Sequence, residues 1–370
     1  MNSFRFTKVT KTLSKKEQDL QKLANRYEFE IHDLDLAIIN GIRRVILSDI
    51  PTLGFMGEND VSIQIHKNTG PLHNEFMTHR IGLIPMHFTE EETEGFVENE
   101  YQFTLNVKNN QANLLNVTTA DIKGKRNAIE LSQIELKRIF PMNLVTKMPV
   151  LITRLRQGEE LSFTATVVKS TAKVHASFSP VSLCSFYYLQ NDALNQDVKD
   201  ILQRERNYHK NEYGDPTALL FSIEPELGLT PKYLIAKALE ILRTKAETVD
   251  RELETNASQK VMFEKNPDIA DTYDLHIQFE DDTFGNLFQS LVYNEYIRAN
   301  KKILDDKFTM SYIGYYAPHP LDPKIVIRMT LKNDENISAT PSEFKTAFKT
   351  CLRLVNHTLK DVYDAWIRFD

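Results

Sequence analysis

One stretch of this chain occurs twice. Tyr27, Ile31, Asp35 and Asn40 are spaced as Tyr273, Ile277, Asp281 and Asn286 are, at one constant offset and without a gap. A supersecondary unit present in two copies has few ways to bury both apolar faces, and the commonest is face-to-face packing about a two-fold axis. Each copy opens on a short apolar–polar alternation, which suits a half-buried strand. The aspartate that follows can accept from the unpaired N–H groups of a helix's first turn. A helical pattern comes next: Ile38, Ile39, Ile42, Val45 and Ile46 in the first copy, and Phe284, Leu287, Phe288, Leu291 and Val292 in the second.

A second shared element lies later in each copy. Asp215-Pro216 precedes a strand-like run at 219–223, and Asp322-Pro323 precedes another at 325–331. Each is followed by a helix opening on Thr-Pro, at Thr230-Pro231 and Thr340-Pro341. Threonine can cap a helix, and proline suits the first helical position because its missing N–H would be unpaired anyway. Thr340 with Glu343 also has the spacing of a capping box. Phe344, Phe348, Cys351, Leu352, Val355, Leu359, Val362 and Trp366 then recur in steps of three and four, an apolar stripe along one whole helix. Leu234, Ala238, Ile241, Leu242, Val249 and Leu253 do nearly the same in the first copy. Such stripes are packing surfaces rather than cofactor sites.

The expected fold is therefore α+β, with two strand–helix–strands–helix halves paired pseudo-symmetrically within one chain. The first half comprises 1–54 and 206–254, and the second 271–370. Residues 255–270 are polar enough for a linker. Residues 55–205 are interpolated into the first half and carry strand-like runs at 101–107, 150–153, 161–168 and 181–189, which predict an inserted, mainly β domain. Within it the acidic run 90–100 reads as a surface loop, and the charged stretch 191–213 as helical. The lysine-bearing segment 15–25 reads as a solvated helix.

Composition narrows the function. A formal net charge of −6 and a pI near 6 argue against a broad basic face for nucleic acid. The two cysteines, Cys184 and Cys351, make neither a disulfide framework nor a paired-cysteine zinc spacing. No apolar run reaches membrane-span length, and the first residues lack the apolar core of a secretory signal. His73, Glu75, His79 and His87 fit no helical two-histidine zinc pattern. There is no Walker-type loop and no Gly-x-Ser-x-Gly setting for a nucleophile. No cofactor and no catalytic residue is expected.

Several blocks carry a family resemblance. Residues 35–53, with Asn40, Arg43, Arg44 and Pro51, resemble the signature shared by bacterial α and the third-largest subunit of eukaryotic RNA polymerase II. The match continues through Leu72, His73, Glu75, His79, Arg80, Gly82 and Pro85, and again through Gly158 to Pro180 with Lys173 and His175. Residues 280–287 and 314–321 resemble the smaller partner, the eleventh subunit.

The resemblance implies a non-catalytic assembly platform of a multisubunit DNA-directed RNA polymerase. Its partners would be the largest and second-largest subunits, with small subunits and little or no direct nucleic-acid contact. It implies that Arg43, Arg44, Glu75, His79, Arg80, Gly82, Lys173 and His175 face the large subunits. It also implies that Asn40, Ile42, Leu242, Asn286, Leu287, Leu291, Phe348, Leu352, Val355 and Leu359 pair the halves. Asn40 and Asn286, at equivalent places in the repeat, are expected to share a hydrogen bond. The metal-binding cysteine cluster of certain homologues is missing, so no metal is expected. Fusion of two subunits into one chain resembles the arrangement of large cytoplasmic DNA viruses (mimivirus-like). That would place the protein in a viral factory and the virion, and otherwise in the nucleus. A stand-alone interaction scaffold derived from such a subunit is the alternative.

Overall fold

A computed structural model describes residues 4–9, 25–57, 62–255, 260–333 and 338–369. The helix expected at 15–25 falls almost wholly outside them. The chain begins with β1 (Arg5–Lys8), β2 (Tyr27–His32) and helix α1 (Leu36–Ser48). A middle segment follows, with β3 (Thr52–Gly54), β4 (Ile63–Asn68), α2 (Asn74–Gly82), α3 (Glu90–Glu94) and β5 (Tyr101–Lys108). It goes on through β6 (Leu115–Thr118), β7 (Lys123–Arg126), β8 (Ile129–Glu130), α4 (Gln133–Ile139), β9 (Leu151–Leu155), β10 (Glu160–Thr166) and β11 (Val168–Ser170). Then come β12 (Val181–Tyr188), α5 (Asp192–Asn195), α6 (Ile201–Arg206), β13 (Ala218–Pro225) and the long α7 (Pro231–Glu254). The last third holds β14 (Val261–Lys265), β15 (Thr272–Gln278), α8 (Asp282–Val292), β16 (Lys302–Ile303), β17 (Phe308–Tyr316), β18 (Lys324–Lys332) and α9 (Pro341–Arg368).

Two antiparallel sheets carry the repeated units. One has the order β1-β2-β13-β12, the other β14-β15-β18-β17-β16. In each, the strand that opens the repeat lies between an outer strand and the strand that follows the Asp-Pro pair. The inward residues of β15 and β18, Tyr273, Leu275, Ile277, Ile325, Ile327, Met329 and Leu331, are all buried. Both aspartates cap as their position predicts: Asp35 accepts from Ala37 N and Asp281 from Thr283 N. Thr230 and Thr340 cap α7 and α9, the latter with the full Thr340–Glu343 box. Just before each capping aspartate one residue has positive φ, Asp33 at 56° and Phe279 at 65°.

The middle segment has its own core. Phe55, Phe103, Phe163, Tyr101 and Leu161 centre a cluster separate from the one under the two repeat sheets. Its main sheet runs β4-β10-β5-β7-β8, with two-stranded ladders β6-β9 and β3-β11 beside it.

Several expectations need correction. The run 181–189 does not belong with the middle sheet: β12 pairs with β13 from Val181↔Pro225 to Tyr188↔Leu219 and completes the first repeat sheet. Its composition is strand-like, but its partner lies dozens of residues downstream, and such pairing is set by tertiary packing. The presumed linker also contributes structure. Val261 to Lys265 form β14, paired with β15, while 256–259 lie outside the described residues. The acidic run at 90–100 is a helix at its start, because Thr89 and Glu92 form a capping box. Glu92 grips Arg138 through two hydrogen bonds, and Glu94 accepts from Tyr233 and pairs with Lys237 of α7. The stretch 191–213 holds only the short helices α5 and α6.

Candidate assembly interface

The helices of the two repeat sheets pack against one another, α7 on α9, and α1 on both α7 and α8. One continuous core results. Ile42, Leu242, Leu287, Phe348, Leu352, Val355 and Leu359, each 3% exposed or less, belong to the same buried cluster, with Leu291 at its margin. Burying an aliphatic or aromatic side chain fully is worth roughly 1.5–3 kcal/mol. This stripe therefore dominates the contact.

Polar groups set its register. Asp35, besides capping α1, accepts from Ser290 Oγ at 2.9 and 3.0 Å, near the end of α8, and from Asn294 Nδ2 at 2.6 Å, just past it. Towards the end of α1, Arg44 Nε donates to Thr283 Oγ1 at 2.8 Å, in the first turn of α8. The two helices thus run antiparallel. The offset that carries Asp35 to Asp281 carries Arg44 to Ser290. The N-terminus of each helix is therefore met by the same position of the other.

The long helices are antiparallel as well. Trp366, near the end of α9, donates through Nε1 to the Lys232 carbonyl at 3.0 Å, in the first turn of α7. Lys349, early in α9, pairs with Glu254 at the end of α7. Midway, Arg243 donates to Asn356, which donates in turn to Glu247. The Trp366 ring enters the first sheet, its centroid 4.9 Å from Phe29 and 5.3 Å from Phe6.

A half-buried ionic node lies where α1 ends and α8 begins. Lys245 Nζ sits 2.9 Å from Asp49 and 3.2 Å from Glu280. At 3.2 Å the Lys245–Glu280 contact is a close ion pair. Burial pushes the Glu280 carboxyl above its ordinary range, and the Lys245 charge opposes this without reversing it. Burial also pulls the Lys245 ammonium down, but the carboxylates of Glu280 and Asp49 outweigh it and the net shift is upward. Lys173, on the loop after β11, reaches this node: its Nζ is 3.5 Å from Asp281 and its N–H donates to the Ser48 carbonyl. His175 Nδ1 lies 2.7 Å from Ser177 Oγ on the same loop.

The remaining expected residues have mixed settings. Arg43 donates to Asn40 Oδ1 within α1, while Asn286 is exposed on α8, so the two asparagines share no hydrogen bond. Position within the repeat is conserved between them, but side-chain direction depends on local neighbours. On α2, Glu75, His79 and Arg80 are exposed. Arg80 holds the carbonyls of Ile152 and Leu151 at 3.1 and 3.2 Å. Gly82 is buried instead: a Cβ there would come within 2.7 Å of the Gly57 backbone, so it permits a close crossing and offers no surface. Sequence reasoning missed Ser290, Asn294, Lys245 and the Trp366–Lys232 bond. Only the repeat offset linking Arg44 to Ser290 hinted at the first. Among the described residues no cluster of metal-ligating side chains and no helix long and apolar enough to cross a membrane occurs.

Comparison with known proteins agrees with this geometry. The family model described as the RNA polymerase Rpb3/Rpb11 dimerisation domain matches residues 28–246, from β2 into α7. The chain is 26% identical over 248 residues to subunit 3 of DNA-directed RNA polymerases II, IV and V of Arabidopsis thaliana, covering 63% of this chain and 72% of that one. It is 24% identical over 264 residues to subunit RPB3 of RNA polymerase II of Schizosaccharomyces pombe, covering 62% and 84%. Against subunit RPAC1 of RNA polymerases I and III of Homo sapiens it is 28% identical over 193 residues, covering 47% of this chain and only 54% of the relative. A match running from β2 through α1 and the middle segment to β13 and most of α7 settles kinship: the chain belongs to the RNA polymerase Rpb3/Rpb11 dimerisation-domain family.

Proposed function

We propose that this chain is the non-catalytic assembly platform of a DNA-directed RNA polymerase, with both members of the dimerising pair fused in one polypeptide. In this reading the two repeat sheets and their helices are the halves, related by a pseudo-two-fold axis between α1 and α8. The middle segment is a domain inserted into the first half. The observation that carries the reading is that Arg44 and Ser290, equivalent positions of the repeat, each reach the N-terminal end of the other helix, Ser290 at the cap residue Asp35 and Arg44 at Thr283, two residues past the cap residue Asp281. In a two-fold interface equivalent positions meet equivalent ends of the opposite element, and a chance packing of two helices has no reason to do this. The shared strand order of the two sheets supports it. Tethering replaces a bimolecular encounter by a high effective concentration and fixes the stoichiometry at one to one.

The paired helices then hold the docking groups in place for the largest and second-largest subunits. Glu75 and His79 on α2 are free to meet them, and Lys173 and His175 sit on a loop anchored at the junction of α1 and α8. Arg43 and Arg44 act at the same junction, with Arg44 committed through Nε to Thr283. Fusion in one chain supports an origin in a large cytoplasmic DNA virus, with the polymerase at work in the viral factory and carried in the virion. The test is gentle affinity purification of the tagged chain from its native source. Two very large polypeptides in equal amount, with template-dependent RNA synthesis in the eluate, are expected. Recovery of the chain alone would overturn the assignment and point to a stand-alone scaffold.

A further inference from the structure

The two ends of the α1–α8 pair are equivalent in the repeat but unlike in charge. Where α1 stops and α8 starts, the carboxylates of Asp49, Glu280 and Asp281 meet ammonium groups of the chain itself. Lys245 Nζ lies 2.9 Å from Asp49 and 3.2 Å from Glu280, and Lys173 Nζ 3.5 Å from Asp281. At the other end the same offset puts Asp35 in the place of Asp281 and Glu295 in that of Asp49. Counted from Thr230 and Thr340, which open α7 and α9, Lys245 corresponds to Val355 and Thr248 to Thr358. The lysine has no counterpart there. The cleft beside Lys245 and Thr248 measures about 100 Å³, whereas the one beside Asp35, Glu295 and Thr358 measures about 560 Å³.

Leu34, Ile38, Leu291 and Leu354 give the larger cleft an apolar floor. Arg298 is held by Asp215 at 2.6 Å and Lys301 by Glu295 at 2.5 Å, so both cations on its wall are cancelled. Three carboxylates remain. Asp33 is exposed and has no paired cation among the described residues, and Asp35 accepts only from the neutral donors of Ala37, Ser290 and Asn294. Asp361, on α9, lies 3.1 Å from the exposed His357. Among the described residues no acidic group of three is close enough to hold a metal ion, so the charge is spread along the apolar floor. The chain after α8 winds as a π-helical turn, Tyr293–Arg298, which contributes Asn294, Glu295 and Arg298 to the wall; such turns are frequent at functional sites. Thr358 is 8% exposed and its hydroxyl has no hydrogen-bond partner, a deficit that a ligand with N–H donors removes. Threonine in a helix divides between two χ1 rotamers, so this hydroxyl can turn to the cleft.

We propose that this cleft binds a linear aliphatic diamine or triamine. One ammonium sits at Asp33 and Asp35, at the start of α1, where it does what Lys245 does at the opposite end. The methylene chain covers the apolar floor. The second ammonium meets Asp361 and Thr358, which are three residues apart on one face of α9. The bound amine touches α1 and α9 together, so it ties one half of the chain to the other, and by mass action it stabilises the paired form. The proposal rests on the pairing of the halves and is independent of the polymerase assignment.

The test is calorimetric titration of the full-length chain with spermidine at physiological ionic strength. Saturable one-to-one binding is expected, and spermidine should raise the urea midpoint read from Trp366 fluorescence. Butylamine, with a single ammonium, should bind about tenfold or more weakly, as for loss of one charge-assisted contact. The double variant Asp33→Asn with Asp361→Asn should lose affinity for spermidine to a similar degree. The control Glu98→Gln with Glu130→Gln removes the same charge from exposed sites of the middle segment and should lose none. Thr358→Val should weaken binding while leaving the free chain at least as stable, because it deletes an unpaired hydroxyl. A threonine with only a packing role would leave binding unchanged, which would overturn its part in the site. Absence of saturable binding would overturn the whole proposal. Equal affinity for butylamine, full displacement by magnesium at equal ionic strength, or an equal loss with the Glu98–Glu130 control would overturn it too, reducing the effect to diffuse counterion binding. Failure of the pairing itself would show separately, as a Trp366 unfolding transition that Asp35→Ala does not move.

Discussion

Replacing Asp35 by alanine removes three interactions at once: the cap on α1, the acceptor for Ser290 and the acceptor for Asn294. Loss of an N-cap costs about 1 kcal/mol. Each of the other two hydrogen bonds has a charged acceptor but is only partly buried, so about 1 kcal/mol apiece is a fair share. The expected loss is therefore about 3 kcal/mol, against about 1 kcal/mol for Ser290→Ala. Asp35 and Ser290 share one bond, so the double variant should cost about 1 kcal/mol less than the sum of the singles. The assay is built into the protein. Trp366 is its only tryptophan and sits 2% exposed where α9 meets the first sheet, so its fluorescence during urea unfolding reports separation of the two sheets. Additivity within about 0.3 kcal/mol would refute the argument that this bond ties α8 to α1. A loss from Asp35→Ala no larger than a cap alone would refute it as well.

Four further outcomes follow from single sites. Gly41→Ala should stabilise by up to about 1 kcal/mol, because a Cβ there meets Leu242 at an ordinary 3.5 Å and alanine favours the helix; Gly285→Ala should destabilise, since its Cβ would fall 2.4 Å from the Tyr315 ring. Phe279→Gly should raise the urea midpoint by about 1 kcal/mol of stability, because a bulky, exposed residue is held at φ 65°; a fall instead would mean that the ring is packed in the folded chain. The Glu343 carboxyl is held down to about 2 by Lys307 and by the Thr340 cap, so its contribution is present above the ordinary carboxylate range and disappears as pH falls towards 2. It is only partly buried and is screened by solvent, so hydrogen exchange in the first turn of α9 is the sensitive measure, and Glu343→Gln should remove that part of the acid dependence.

The apolar stripes, the capping aspartates and the Thr-Pro starts of α7 and α9 were readable in the sequence because each depends on neighbours within a few positions. A helical stripe needs only its own period, and a cap only the first turn it closes. The repeat went further and implied two like units. Non-local choices lay beyond that reach. Val181 to Tyr188 has strand composition in any sheet, and only packing assigned it to β13; Val261 to Lys265 hid inside a polar stretch because just two of its residues face the core. Arg44 was expected to face a partner, yet its Nε is taken by Thr283, and Gly82 is buried under Gly57. Sequence by itself determined which faces are apolar and where helices start, since those are local free energies. Which face meets which, and which polar side chains close the seam, was decided only by tertiary structure, because a contact between residues some 250 positions apart has no local energy to betray it.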